Sequence, residues 1–377
     1  MRVSCVQENL SRGLGTVGRA VAVRSTLPVA QNILIVAEDS RLKLVATNLE
    51  MATTCWVGAS VEEEGSITVP ARLITEFVNS LPNEKVDIEM PAGGRTVQFT
   101  CGRFQAHVNG IDAEDFPPIP QVEGGVSVEV EVDALHEGIS RVAMAAATDE
   151  SRPVLTGINV EFDGEQLTLA AADGFRLAVY RLPLDKAVDG KTTVIVPART
   201  LNEVNRLLAD QSEPVVITVN EQKSQAMFRL NNAEIVTQLV QGTFPNYSQV
   251  IPSKYETRAV VDVGELTRVS RMCSVFARDA SNIVRITIAP GADLTPGKIT
   301  ISAQSEEVGG NTGDLDGLVD GDEAKIAFNV KYVLDVLGVI RQSQVALEVS
   351  NPSSPGVIRP IGVDNYVHVI MPMFVQW

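Results

Sequence analysis

Pro197-Ala-Arg-Thr-Leu-Asn-Glu-Val-Asn-Arg-Leu-Leu-Ala209 is a segment this chain writes three times. It recurs as Pro70-Ala-Arg-Leu-Ile-Thr-Glu-Phe-Val-Asn-Ser-Leu81 and as Asn329-Val-Lys-Tyr-Val-Leu-Asp-Val-Leu-Gly-Val-Ile340. The copies lie about 130 residues apart, a period that makes the repeat the plan of the chain. Each follows an apolar, strand-like run (66–69, 193–196, 325–328), and two open on proline, which suits the first helical position. Apolar residues then fall at helical spacing: Ile74, Phe77, Leu81; Leu201, Val204, Leu208; Val333, Val336, Ile340. Each copy also carries an early cation (Arg72, Arg199, Lys331) and an acid four residues later (Glu76, Glu203, Asp335).

With 377 residues, this period divides the chain into three units, 1–120, 121–252 and 253–377. A second helix opens each unit: residues 9–20, a helix capped by Asp133, and one through Leu266, Val269 and Met272. Strands fill the remainder, so each unit reads as two half-units of strand, helix and three strands. The fold class is α+β, with six helices and antiparallel sheets. Stacked repeats of this kind make an arc with helices on one side and sheets on the other. Residues 309–322, rich in Gly and Asp, come closest to a disordered excursion.

Composition narrows the function. Hydrophobic residues make up 45 %, and no run approaches the ~20 apolar residues of a membrane helix. The first residues lack the apolar core of a signal peptide, and four scattered cysteines suggest reduced thiols in a cytoplasmic protein. The net charge of −16 repels nucleic acid on average. Arginines nevertheless gather on the helices, at Arg12 and Arg19, Arg141, and Arg268 and Arg271. A cation in a helix's first turn also opposes the helix dipole. Ordinary i,i+4 pairs, Arg72 with Glu76 and Arg199 with Glu203, are the bland reading; charge segregation favours a basic lining.

Nothing points to an enzyme. His107, His136 and His368 are isolated, and nucleophile, phosphate-loop and metalloprotease motifs are absent. Asp314, Asp316, Asp320 and Asp322 lack the spacing and final Glu of a calcium loop, so no metal or other cofactor is expected. Asp173-Gly174 alone reads as a hairpin turn.

Arg24-Ser-Thr-Leu-Pro28, Asp149-Glu-Ser-Arg-Pro-Val-Leu-Thr-Gly157, Ala172-Asp-Gly-Phe-Arg-Leu177, Phe244-Pro-Asn-Tyr247 and His368-Val-Ile-Met-Pro-Met373 occur in order along almost the whole chain. Together they resemble the bacterial DNA polymerase III beta subunit family, the sliding clamps. The resemblance implies three clamp-type domains, helices lining the inside and sheets outside, and a ring closed as a head-to-tail homodimer. It also implies a non-enzymatic processivity factor encircling double-stranded DNA without sequence preference. Arg12, Arg19, Arg24, Arg72, Arg141, Arg152, Arg199, Arg206, Arg268, Arg271 and Lys331 would face DNA. A peptide-binding cleft for the replicative polymerase, clamp loader and repair proteins would fall on Leu155, Ala172, Gly174, Phe175, Arg176, Leu177, Pro245, Val250, Ser354, Val369 and Met371. Position 175 is often His in relatives, and Phe makes this cleft more apolar. The tail Phe374-Val-Gln-Trp377 starts close to Met371; it either frays or lays Trp377 on the cleft. The alternative to a clamp is a β-rich repeat scaffold or binding protein that does not touch nucleic acid.

Overall fold

A strand that runs straight into an amphipathic segment is the local rule of this chain, and it operates six times among the described residues. The computed structural model describes residues 1–22, 26–278, 281–292 and 295–376. Its helices are α1 (Gln7–Val17), α2 (Ala71–Ser80), α3 (Val132–Ala143), α4 (Ala198–Leu207), α5 (Val263–Ala277) and α6 (Val330–Val339). The apolar stripes read from the sequence hold for Leu201 and Val204 of α4 and Val333 and Val336 of α6, whereas α2 buries Ile74 and Val78 and leaves the expected Phe77 half-buried. Asn329 caps α6 through Lys331 N, at 3.0 Å. Asp133 is not the cap expected of it; α3 begins one residue earlier, and Asp133 sits in the first turn.

The described residues form two compact units, Met1–Asp133 with Arg199–Leu239, and Ala134–Ala198 with Val240–Trp377. The middle repeat is divided between them because strands pair across repeat boundaries. In the first unit Ala233–Gln238 lies antiparallel to Met51–Gly58, with Ala233 opposite Cys55 and Thr237 opposite Met51. That pairing joins two sets of strands into one eight-stranded sheet, beside a separate five-stranded sheet. In the second unit Arg176–Tyr180 pairs with Tyr366–Ile370, inside a ten-stranded sheet.

Helices seat on sheets where glycine permits it. A Cβ on Gly13 of α1 would lie 2.6 Å from Val57, and one on Gly313 would lie 2.7 Å from Val269 of α5. This explains the one segment that departs from its expected form. Residues 309–322 do not form a loop; Gly309–Asp320 is a twelve-residue strand, paired with Gly297–Ser305 over residues 309–317 and with residues 258–260 over 318–320. Two of its glycines, Gly313 and Gly317, occupy places where Val269, and Ile299 with Val261, press on the backbone, so they mark close packing. Asp314 points outward, accepting from Thr300 Oγ1 at 2.7 Å and pairing with Lys298.

Arg141 requires a correction. Expected among the DNA-facing cations, it is wholly buried in the second unit. Its guanidinium pairs with Glu137, donates to Gln342 Oε1 at 3.1 Å, and lies 5.5 and 5.1 Å from the ring centres of Tyr180 and Tyr366. Tyr366 Oη donates to the Arg141 carbonyl at 3.1 Å, and Tyr180 Oη donates to Glu137 Oε2 at 3.0 Å. The cation thus fastens α3 to the strand pair Arg176–Tyr180 and Tyr366–Ile370. An ion held by a carboxylate and two ring faces has no route to a phosphate.

Arg141→Ala removes a fully buried side chain from between two rings and leaves the half-buried Glu137 unpaired, so it should destabilise the protein by about 2–3 kcal/mol in denaturant unfolding. His368 lies buried beside Tyr366, and burial pushes its pKa down to about 3 from 6.5. A depressed histidine pKa means the unfolded chain binds the proton first, so His368 lowers stability progressively as pH falls from 6.5 towards 3. Its slope reaches at most about 1.4 kcal/mol per pH unit. Unfolding titrations of His368→Gln should show a shallower loss between pH 6.5 and 4.5 than the parent protein.

Candidate peptide cleft and nucleic-acid interface

The Asp173-Gly174 turn builds the first site. Gly174 has φ 93° at the first central position of a two-residue hairpin, where a side chain would be strained. Asp173 Oδ1 accepts from Phe175 N at 2.8 Å and Arg176 N at 3.0 Å, and its Oδ2 accepts from Arg176 Nε at 3.0 Å. Arg176 then reaches α6, where it pairs with Asp335 and lies 4.4 Å from the Tyr332 ring centre. On the other flank Arg152 donates to the Asp173 carbonyl at 2.8 Å. Met371 N donates to Phe175 O at 2.8 Å, tying the chain after the last strand to the turn. What reads locally as an ordinary hairpin is therefore a braced rim.

Behind the rim lies a hollow of about 250 Å³, entirely within the second unit. Ala172, Leu177 and Val369 lie opposite one another across adjacent strands and form its floor. Leu155, Gly174, Arg176, Pro245, Val250 and Met371 line its sides, as expected. Two expected residues do not. Phe175 stands on the rim, 55 % exposed, and Ser354 lies in the turn after strand Gln344–Val349, outside the lining. Phe244 and Tyr247 line the hollow although neither was expected to; their rings pack edge to face at 6.2 Å. The Phe-Pro-Asn-Tyr motif was the available signal. The described part of the tail leads elsewhere: Met373 N bonds Ala327 O at 2.8 Å, and Val375 lies beside Ile283 and Arg285. Phe374 is exposed, and Trp377 lies outside the described residues.

The helix cations divide by neighbourhood. Arg72, Arg199 and Lys331 are exposed in the first turns of α2, α4 and α6. Only the first makes the pair read from spacing, Arg72 Nε to Glu76 at 2.8 Å. Glu203 instead pairs with Arg206 at 3.1 Å and Arg19 at 3.7 Å, which leaves Arg199 without it. Asp335 belongs to Arg176 rather than Lys331. Arg12 is exposed and paired with Glu8. Arg268 and Arg271 are exposed on α5 with no ion pair among the described residues. Arg152 belongs to the cleft turn, and Arg24 lies outside the described residues. Arg199, Lys331, Arg268 and Arg271, which have no carboxylate partner among the described residues, are the cations best placed to meet an external anion.

Three family models cover the chain in order: DNA polymerase III beta subunit, N-terminal domain at residues 1–120, central domain at 129–246, and C-terminal domain at 248–374. The chain is 30 % identical to the Beta sliding clamp of Synechocystis sp. and 28 % identical to that of Bacillus subtilis, with 99 % of both chains covered in each comparison. It is also similar to the solved DNA polymerase sliding clamp of Bacillus subtilis, with a TM-score of 0.93 at 27 % identity over 100 % of both chains. A Pseudomonas aeruginosa sliding clamp bound to griselimycin gives 0.92 at 29 %, again over 100 % of both chains. The chain belongs to the DNA polymerase III beta subunit family, the bacterial beta sliding clamps.

Proposed function

We propose that two copies of this chain close head to tail into a ring around duplex DNA and hold replication and repair proteins on it as a processivity factor. The observation that carries the reading is a pairing rule left open at its two ends. The last strand of the middle repeat, Ala233–Gln238, pairs with Met51–Gly58 of the first. The last strand of the third repeat, Tyr366–Ile370, pairs with Arg176–Tyr180 of the middle one. The last strand of the first repeat, Phe104–Asn109, pairs only with Thr96–Cys101 among the described residues. Its counterpart by the same rule is Gly309–Asp320, whose far side is engaged only at Leu318–Asp320. Pairing these two edges between copies extends the rule across chains, and a rotation that closes after two copies makes the assembly a ring rather than a filament.

Exposed apolar residues support that junction. Phe104 is 46 % exposed on the free edge, and Met272 and Val275 are exposed on α5, which packs on Gly309–Asp320. We assign the three repeats to residues 1–120, 121–252 and 253–377. The helices line the hole with Arg72, Arg199, Lys331, Arg268 and Arg271 towards phosphate, and the sheets form the outer wall. Topology holds the DNA, so weak contacts that carry no sequence information are sufficient and permit sliding. The hollow behind Gly174 receives short apolar motifs of the polymerase, clamp loader and repair proteins. Such a protein works in the cytoplasm, consistent with four free, buried cysteines; among the described residues, no helix is long and apolar enough to cross a membrane.

Light scattering on a size-exclusion column should give a dimer at micromolar concentration; a monomer or a trimer would contradict the ring. Phe104→Arg should weaken that dimer by about 2–4 kcal/mol, as losing a central aromatic anchor does. For DNA, Arg72→Gln, Arg199→Gln and Lys331→Gln combined should leave the dimer intact but flatten the salt dependence of retention on nicked circles. The log–log slope should fall by about 0.9 for each phosphate that is no longer neutralised. An unchanged slope would remove these cations from the interface.

A further inference from the structure

Beside the apolar hollow, on the same sheet face, lies a second depression of about 200 Å³, lined by Lys254, Tyr255, Ser350, Pro355, Val357 and Arg359 together with Glu348. The sheet register links the two. Leu177 lies opposite Val369, Val369 opposite Val357, Val357 opposite Glu348, and Glu348 opposite Arg258. One row of outward-facing positions thus begins as the apolar floor and ends in charge. The linker that supplies Val250 to the first depression supplies Lys254 and Tyr255 to the second.

The charge there runs against that of the molecule. In a chain of net charge −16, Arg258 and Arg359 converge on a single carboxylate, Glu348, at 3.3 and 3.2 Å. Each arginine side chain is 34 % exposed, whereas Glu348 is 12 % exposed. Of these two guanidiniums, only Arg359 Nε makes a hydrogen bond among the described residues, and Arg258 Nε is buried without one. Lys254 is exposed and has no ion pair among the described residues. Asp320 lies opposite Arg258 in the register but forms no ion pair with it. Arg258 and Arg359 thus share Glu348, Lys254 pairs with no carboxylate among the described residues, and most donors of these three cations are uncommitted.

We infer that this basic depression is an accessory subsite for acidic side chains flanking the apolar motif of a partner peptide. The inference rests on the reading of the hollow as a peptide cleft. From Val369 to Glu348 is two strand spacings, about 10 Å, which an extended peptide covers in about three residues. An Asp or Glu placed three or four residues from the apolar anchor therefore arrives over Lys254 and Arg359. Charges at such a rim act mainly on association rate and partner choice. The subsite ranks partners that share the same apolar core by the acidity of their flanks.

The test uses the full-length protein and fluorescence-labelled synthetic peptides with one apolar core. Two Glu residues are placed three and four positions beyond the core at one end or the other, each against a Gln counterpart. At low salt, one of the two Glu peptides should bind about three- to tenfold tighter than its Gln counterpart, and 0.5 M salt should erase the gain. Lys254→Gln with Arg359→Gln should abolish the gain while leaving the Gln peptides unaffected. Equal binding of Glu and Gln peptides at both ends, or a gain that survives the double substitution, would overturn the proposal. A double variant that lost DNA retention but kept the peptide gain would assign these cations to phosphate instead, which also overturns it. Failure of the cleft reading looks different: no peptide would bind the parent protein, or Met371→Glu would leave the Gln peptides bound as tightly as before.

Discussion

Backbone hydrogen bonding between strands of different repeats is the constraint on which the rest of this molecule depends. A strand edge has donors and acceptors that must be paired or hydrated. Ala233–Gln238 meets that need on Met51–Gly58, and Tyr366–Ile370 meets it on Arg176–Tyr180. Each pairing carries a sheet across a repeat boundary, which is why the compact units cut through the middle repeat instead of between repeats. The same need is unmet, among the described residues, at the outer side of Phe104–Asn109 and along most of the outer side of Gly309–Asp320.

The pairing of Arg176–Tyr180 with Tyr366–Ile370 also organises what lies on its two faces. Outward, Leu177, Val369 and Val357 make an apolar floor. Inward, Tyr180 and Tyr366 hold the Arg141 guanidinium, with His368 beside Tyr366. A period of two along each strand separates these populations, so one strand pair supports both an open hollow and a closed polar clasp. The clasp holds α3 against the sheet below the hollow, so the floor is backed by a fixed helix and not by a mobile side-chain layer.

Charge follows a similar division. The exposed cations of α2, α4, α5 and α6 stand on helices, whereas Lys254, Arg258 and Arg359 stand on or beside the sheet. Their electrostatic settings differ. A helix cation such as Arg268 has water on most sides, so its attraction for a phosphate is weak and screened within about 8–10 Å at physiological salt. Arg258 and Arg359 are partly desolvated around one carboxylate, where each further anion counts for more.

The sequence alone determined the repeat, the six helices and their apolar stripes, because helical spacing and a strand-to-helix transition are written in consecutive residues. Most of the hollow was legible only through the family resemblance, which pointed to Leu155, the Ala172–Leu177 turn, Pro245 and Val369; read locally, Asp173-Gly174 is no more than a hairpin turn. Partnership was not legible. Arg141 looks like any helix cation until Tyr180, Glu137 and Tyr366 are known to enclose it. Glu203 and Asp335 sit at i,i+4 spacing from Arg199 and Lys331, yet they are taken by Arg206 and Arg19 and by Arg176. Gly313 and Gly317 in Gly309–Asp320 suggest looseness until Val269 and Ile299 are seen against them. Only the tertiary structure decided these cases, because burial and ion pairing depend on which side chains meet across tens or hundreds of residues, and a local pattern carries no information about that.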